Sequence, residues 1–221
     1  MAHDTKTLFE NYLHIGHKAD RWNPRMKTYL AGQADKVYVF DLEKTAEGLD
    51  KATAFLKALK IQNKKALFVG TKPQSSFVIH KLLKDAKHFY VDKKWTPGLL
   101  TNFKELRKRI DHYLNLKKQF ETGEISKYTK KEVARFKKEL EKLEIAYGGV
   151  AEMRAKPDVV IALDAVIDRI AIDEANCAGV STMAIVDANA NPLDIDYVIP
   201  ANDDSFRSIE YIMQACLDAL K

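Results

Sequence analysis

VVIALDAVIDRIAIDEANCAGVSTMAIVD, residues 159–187, sets two apolar runs, VVIALD (159–164) and TMAIVD (182–187), either side of DRIAIDEANCAG (168–179). Both runs are continuous rather than alternating, the pattern of strands covered by helices on both faces. The segment between them has helical spacing and stops at Gly179. Strand, helix, strand in this order predicts parallel pairing. Working outward, VYVFD (37–41), ALFVG (66–70), HFYV (88–91) and YVIP (197–200) also read as strands. Helices are signalled by Asp41 ahead of LEKTAEGLDKATAFLKALK, by Pro73 opening PQSSFVIHKLLKDA, and by Asp204 ahead of SFRSIEYIMQACLDAL. The expected fold is α/β, a parallel sheet with helices on both faces.

Between residues 102 and 149 the pattern changes. Leu106, Ile110 and Tyr113 or Leu114 share one face of a first helix, and Val133, Phe136, Leu140, Leu143 and Tyr147 follow a 3,4,3,4 spacing on a second. Facing seams predict an antiparallel coiled-coil hairpin. Gly123 falls in its connection, and Thr129 with Glu132 has capping-box spacing. Gly148 and Gly149 end the second helix. The expected organisation is a first part of the α/β domain with a basic N-terminal arm (1–101), an inserted hairpin that projects from the body (102–149), and the remainder of the α/β domain (150–221).

The chain has 221 residues and a net charge of +5, unevenly placed. Residues 1–101 carry 18 Lys+Arg against 10 Asp+Glu, residues 102–150 carry 13 against 8, and residues 151–221 carry 5 against 13. A basic surface facing a polyanion, with an acidic region turned elsewhere, produces such a split. No apolar run reaches the roughly 18 residues that span a bilayer, and the N-terminus lacks the features of a secretory leader. Cys177 and Cys216 form no CxxC pair and read as two reduced thiols. The expected compartment is the cytosol.

Catalytic patterns are missing. Gly70, Thr71 and Lys72 follow a strand, but GxxxxGK[ST] is absent and Pro73 removes an N–H just after the lysine, leaving mononucleotide binding or a turn with an exposed lysine. No GxGxxG and no GxSxG occurs. Asp164, Asp168, Asp187, Asp194, Asp203 and Asp204 lie at or beyond strand ends, where they either hold a divalent cation or cap helices. His14 and His17, three apart, have no HExxH or cysteine partner nearby. No catalytic residue, cofactor or metal is assigned.

His17, Lys18, Arg21, Trp22, Asn23, Pro24, Arg25, Met26 and Lys27 are different in kind, a loop of cations around an indole suited to phosphates and unstacked bases. Trp22 is equally well placed to anchor the arm onto the sheet. Asp92, Lys93, Lys94 and Trp95 repeat the theme after HFYV.

GHKADRWNPRM (16–26), FVGTK (68–72), VDKKWTPGLLTN (91–102), PDVVIALD (157–164), DEANCAG (173–179), AIVDANANP (184–192) and VIPANDD (198–204) resemble, in order, the signature blocks of the bacterial-type second protein of the small ribosomal subunit. Thr96, Pro97 and Gly98 stand where that family has Leu-Gly-Gly, and Ala201 where it has Gly. The resemblance implies a flavodoxin-like sheet, a projecting coiled-coil hairpin and a place in the cytoplasmic ribosome. It also implies binding to small-subunit ribosomal RNA and contact with other small-subunit proteins, including support for the large mRNA-binding first protein. The RNA-binding set expected on this chain is Lys18, Arg21, Trp22, Arg25, Lys27, Lys93, Lys94 and Trp95, with Lys104, Arg107, Lys108, Lys131, Arg135, Lys138 and Lys142 on the hairpin. The cations would act through phosphates rather than base edges. The alternatives are a nucleotide- or flavin-binding enzyme on the same fold, or an adaptor whose hairpin binds protein only.

Overall fold

A computed structural model describes residues 3–83 and 88–221. The chain opens with α1 (Thr5–Glu10) and a small antiparallel sheet of β1 (Ile15–Lys18), β2 (Leu30–Ala34) and β3 (Val37–Phe40), ordered β1-β3-β2. VYVF is thus a strand, but it belongs to this sheet and not to the parallel one. The two-residue turn at Asp35 and Lys36, both at positive φ, folds β2 straight back onto β3. The basic segment read as a loop is the end of β1 followed by two 3-10 turns, Ala19–Arg21 and Pro24–Tyr29.

After α2 (Leu42–Ile61), capped by the Asp41 side chain accepting from Glu43 N at 2.9 Å, come β4 (Ala66–Val69), α3 (Pro73–Leu83) and β5 (Phe89–Val91). Residues 84–86 of the expected third helix lie outside the described residues. Then follow α4 (Phe103–Glu121), α5 (Lys130–Tyr147), β6 (Val159–Ala162), α6 (Arg169–Cys177), β7 (Ser181–Val186), β8 (Tyr197–Pro200) and α7 (Phe206–Leu220). The cap position of α7 is Ser205, one residue later than expected.

Strands β4 to β8 form a parallel sheet in the order β5-β4-β6-β7-β8. Counted within the sheet this is 2-1-3-4-5, the flavodoxin-like order, with its switch point between β4 and β6. The pleat sends Ala66 and Phe68 to one face, where they pack with α2, α3 and α7. It sends Leu67 and Val69 to the other, with α4 and α6. A third cluster, including Met26, Phe40, Ala184 and Val186, joins the small sheet to the strand ends.

Helices α4 and α5 pack on each other, and Thr129 with Glu132 forms the expected capping box. Leu106, Ile110 and Tyr113 of α4 and Tyr147 of α5 are buried with Leu67, Val69 and Val160. The near part of the pair therefore covers the sheet where the β5-to-β6 crossover needs a helix. Further out, Val133, Phe136, Leu140 and Leu143 are only half-buried. Gly148 continues in helical conformation at φ −52°, so it is not a left-handed stop. A Cβ on Gly149 would run into the carbonyl and ring of Tyr90, so this glycine allows the chain to pass close against β5.

One carboxylate ties the β5–α4 connection to α6. Glu174 accepts from Trp95 Nε1 (3.0 Å), Gly98 N (2.7 Å), Leu100 N (3.1 Å), Thr101 N (3.4 Å) and Thr101 Oγ1 (3.3 Å). Gly98 sits at φ +90°, which turns these donors inward, and Pro97 costs the turn none of them. Burial pushes the Glu174 pKa up, but the bonds from Gly98, Trp95, Leu100 and Thr101 outweigh it and leave the group below its usual range. Glu174→Gln should destabilise the fold by on the order of 2 kcal/mol, the scale of one charge-assisted bond, in urea unfolding at pH 7. Because the folded pKa is depressed, the wild-type advantage should be full above pH 4.5 and shrink as pH falls below it. A variant of wild-type stability, or a gap that widens in acid, would contradict this role.

Candidate functional site

The carboxyl ends of β4, β6 and β8 converge on Lys72. Its ammonium lies 3.1 Å from Asp164 Oδ2, 2.7 Å from Asp203 Oδ1, 2.7 Å from Asp204 Oδ1 and 3.0 Å from the Asp203 carbonyl oxygen. Its side chain is only 10% exposed. Lys72 is therefore neither an exposed turn residue nor open to a phosphate: it fills the switch-point crevice. Burial works to lower its pKa, but hydrogen bonds to Asp203 and Asp204 win and hold it above the ordinary lysine value. Beside it, Thr71 N and Oγ1 donate to Asp168 Oδ1 at 3.2 and 2.7 Å.

Of the six aspartates, none is a simple side-chain cap of a long helix. Asp168 occupies the cap position of α6 but bonds Thr71 instead. Asp164 Oδ1 accepts from Val166 N and Ile167 N in the turn after β6. Asp194 pairs with Arg169 at 2.7 Å. Asp187 and Asp203, each 1% exposed, lie side by side, with Asp203 N directed at Asp187 Oδ2 over 3.3 Å. Burial, then the charges of Asp187 and Asp164, push Asp203 up to about 7. His17 arrives from β1 with Nδ1 3.1 Å from Asp187 Oδ1 and Nε2 3.8 Å from Asp204 Oδ2. The contact with Asp187 raises the imidazole pKa against the effect of burial. His14 takes no part, being stacked on Phe9 at 4.1 Å. Spacing alone offers His14 as the partner of His17; nothing local in the sequence links residue 17 to residues 187–204.

The basic residues divide by what they already hold. Lys18, Arg21, Arg25, Lys27, Lys94, Lys104, Lys131, Arg135, Lys138 and Lys142 are exposed, and among the described residues no ion pair engages them. Lys93, also exposed, reaches Ser76 Oγ at 3.3 Å and Asp92 at 3.8 Å, and Lys108 pairs with Glu105. Arg107 is turned inward, bonding Asp111 and the carbonyl oxygens of Ala151 and Met153. Trp95 is 6% exposed and held by Glu174, so its ring is occupied by packing. Trp22 is half-buried, its ring 4.8 Å from Tyr38. Asn23 N donates to the Ala188 carbonyl and Arg25 to Asn191, which lays the 18–27 segment beyond the end of β7. Lys93 and Lys94 follow β5. Both groups thus sit on the carboxyl edge of the sheet. Glu139 faces the first helix and meets His112 at 3.0 Å, while Glu132 accepts from the cap residue Thr129.

These features define an α/β platform of flavodoxin-like order with a filled crevice and a cationic exterior. The model of the family described as ribosomal protein S2 matches residues 8–221. The chain is 40% identical over 215 residues to the small ribosomal subunit protein uS2 of Petrotoga mobilis, covering 97% of this chain and 75% of that protein. It is 38% identical over 215 residues to the protein of the same name from Dehalococcoides mccartyi, covering 97% and 88%. The chain belongs to the ribosomal protein S2 family, and its role is that of a structural constituent of the small ribosomal subunit. Among the described residues, no helix is long and apolar enough to cross a membrane.

Asp168 gives the crevice a pH signature. Burial pushes its pKa from 3.8 up to about 6, partly offset by the Thr71 bonds. The folded state therefore keeps a proton that the unfolded chain releases, and this stabilisation is complete below pH 3.8 and lost as pH rises through about 6. Asp168→Asn cannot titrate. Measured by urea unfolding, the variant should gain on the wild type between pH 4 and 7, by at most about 3 kcal/mol. A difference that stays flat over that range would contradict the assignment.

Proposed function

We propose that this chain binds small-subunit ribosomal RNA through phosphate contacts and presents its C-terminal part to proteins, including the large mRNA-binding first protein of the subunit. The observation that carries this reading is the placement of charge. The cations of residues 18–27, beside the loop after β7, and of 93–94, after β5, both lie beyond carboxyl ends of the sheet's strands. On α5, Lys131, Arg135, Lys138 and Lys142 are all exposed, spaced 4,3,4 on the side away from the half-buried seam. Such stripes suit a backbone-tracking, sequence-independent contact. Part of the excess negative charge of residues 151–221 is internal, held by Asp164, Asp168, Asp187 and Asp203. What remains outside, including Asp196 and, paired with Lys221, Asp218, favours protein over phosphate, because like charges repel within a Debye length of roughly 10 Å. A nucleotide or flavin at the switch point would have to displace Lys72 and bring its phosphate against Asp164, Asp203 and Asp204, which argues against the enzymatic alternative.

Changing Lys131, Arg135, Lys138 and Lys142 together to Gln tests the α5 stripe. Helicity by circular dichroism should be nearly unchanged, since Gln is close to Lys and Arg in helix propensity. Affinity for ribosomal RNA fragments should fall at every sequence tested. The slope of log affinity against log salt should shrink by up to about 0.9 for each phosphate that is no longer neutralised, on the duplex-DNA scale. Unchanged affinity with an unchanged slope would remove the stripe from the interface.

A further inference from the structure

The far end of the hairpin carries an aromatic group that the fold supports without covering. Between α4 and α5 the chain passes Gly123, at φ +75°, and a 3-10 turn, Glu124–Lys127, to reach Tyr128. Tyr128 precedes the cap residue Thr129, a position from which an apolar side chain often packs back onto the new helix. It does so here, meeting the Phe136 ring edge to face, with centroids 5.2 Å apart and planes at 73°. Packing accounts for only part of the ring, because Tyr128 stays 45% exposed. An edge-to-face pair uses at most one face of each ring, so a face of Tyr128 is left free of Phe136.

The backbone on either side is fixed. Tyr128 N donates to the Ile125 carbonyl at 3.2 Å, and Thr129 and Glu132 close the capping box. Residues 124–138 hold six cations, Lys127, Lys130, Lys131, Arg135, Lys137 and Lys138, against two carboxylates, of which Glu132 is committed to the cap. All six cations are exposed, and among the described residues no ion pair engages them. Arg135 lies over the Phe136 ring, 5.3 Å from its centroid, and so stands beside the aromatic pair.

We propose that Tyr128 is a stacking platform for an unpaired RNA base, with Lys127, Lys130, Lys131 and Arg135 holding the adjoining phosphates. This rests on the RNA-binding reading above and narrows it: the α5 stripe takes phosphates of any RNA, whereas the tip takes RNA with a looped-out or single-stranded base. A base stacked on a ring needs no particular hydrogen bonds, so the tip tells unpaired from paired RNA without reading sequence. The cations favour RNA over a protein here, since a protein surface would have to bring several carboxylates to neutralise them. A ring already held by Phe136 and by a fixed turn loses little freedom when a base settles on it.

The test compares the full chain with Tyr128→Leu and Tyr128→Trp on two RNAs of equal length, one a stem closed by an unpaired loop and the other fully paired. Leu keeps an apolar contact with Phe136 but offers no ring. The Leu variant should bind the loop RNA about fivefold or more weakly, the scale of one lost base stack, and the paired RNA as the wild type does. Its slope of log affinity against log salt should not change, because stacking releases no counterions. The Trp variant should bind the loop RNA at least as tightly as the wild type. Its added indole emission, taken as the difference from the wild type, should be quenched by the loop RNA and not by the paired one. If Tyr128→Leu loosens the tip, shown by a lower melting temperature, the quenching in the Trp variant decides. Equal affinity of the Leu variant and the wild type for the loop RNA, a parallel loss on paired RNA, or an unquenched indole would overturn the stacking role and leave the phosphate contacts standing. A wild-type chain with no salt-dependent affinity for either RNA would overturn the RNA-binding reading, and this one with it.

Discussion

The Lys72 ammonium stands where the first and third strands of the sheet part, and the strand ends around it are arranged to serve it. Burying an ammonium without partners would be prohibitive, and so would burying the aspartates that surround it. Together they hold each other in place: β4 supplies the lysine, β6 supplies Asp164, and the turn after β8 supplies Asp203 and Asp204. Removing the lysine would leave Asp164 and Asp203 buried without their cation. The crevice in which proteins of this strand order bind ligands is thereby filled from within, and what the molecule does for others is left to its exterior.

The second consequence concerns the N-terminal arm. His17 leans on the same acidic group from the outside, Asn23 bonds the Ala188 carbonyl, and Met26 and Phe40 pack with Ala184 and Val186. A stretch of cations around one indole therefore does not hang free. Its apolar and amide groups face the sheet while Lys18, Arg21, Arg25 and Lys27 face solvent, so the cations are displayed at fixed positions before any partner arrives. Preorganisation of this kind lowers the entropic cost of association.

Much of this is legible in the sequence. Strands buried on both faces announce themselves as unbroken apolar runs, and Asp41, Pro73, Gly179 and the Thr129–Glu132 pair mark helix ends by local chemistry that the fold keeps. What is not legible depends on distance or on weak local signals. IGHK and LAGQA lack a β-branched or aromatic run, and the Asp35-Lys36 turn lacks the glycine that usually betrays a tight hairpin, so β1 and β2 are hidden and VYVF reads as a member of the wrong sheet. The burial of Lys72 cannot be read because its partners lie 92 and 131 residues away. For the same reason Trp95 and Arg107 look available: only the fold brings Glu174 to the one and the Ala151 and Met153 carbonyls to the other. Lys131, Arg135, Lys138 and Lys142 need no fold, because helical spacing alone puts them opposite the seam.

The cations of residues 18–27, 93–94 and α5 face outward, while most of the carboxylates around Lys72 are internal. Ultraviolet cross-linking in intact small subunits, with the linked peptides mapped by mass spectrometry, tests that division most directly. RNA cross-links should concentrate in residues 18–27, at 93–94 and on the outward side of 131–142. The outer side of α7 around half-buried Glu210 and exposed Asp218 should cross-link to protein. Cross-links to RNA gathered on α7, with none on the basic segments, would contradict it.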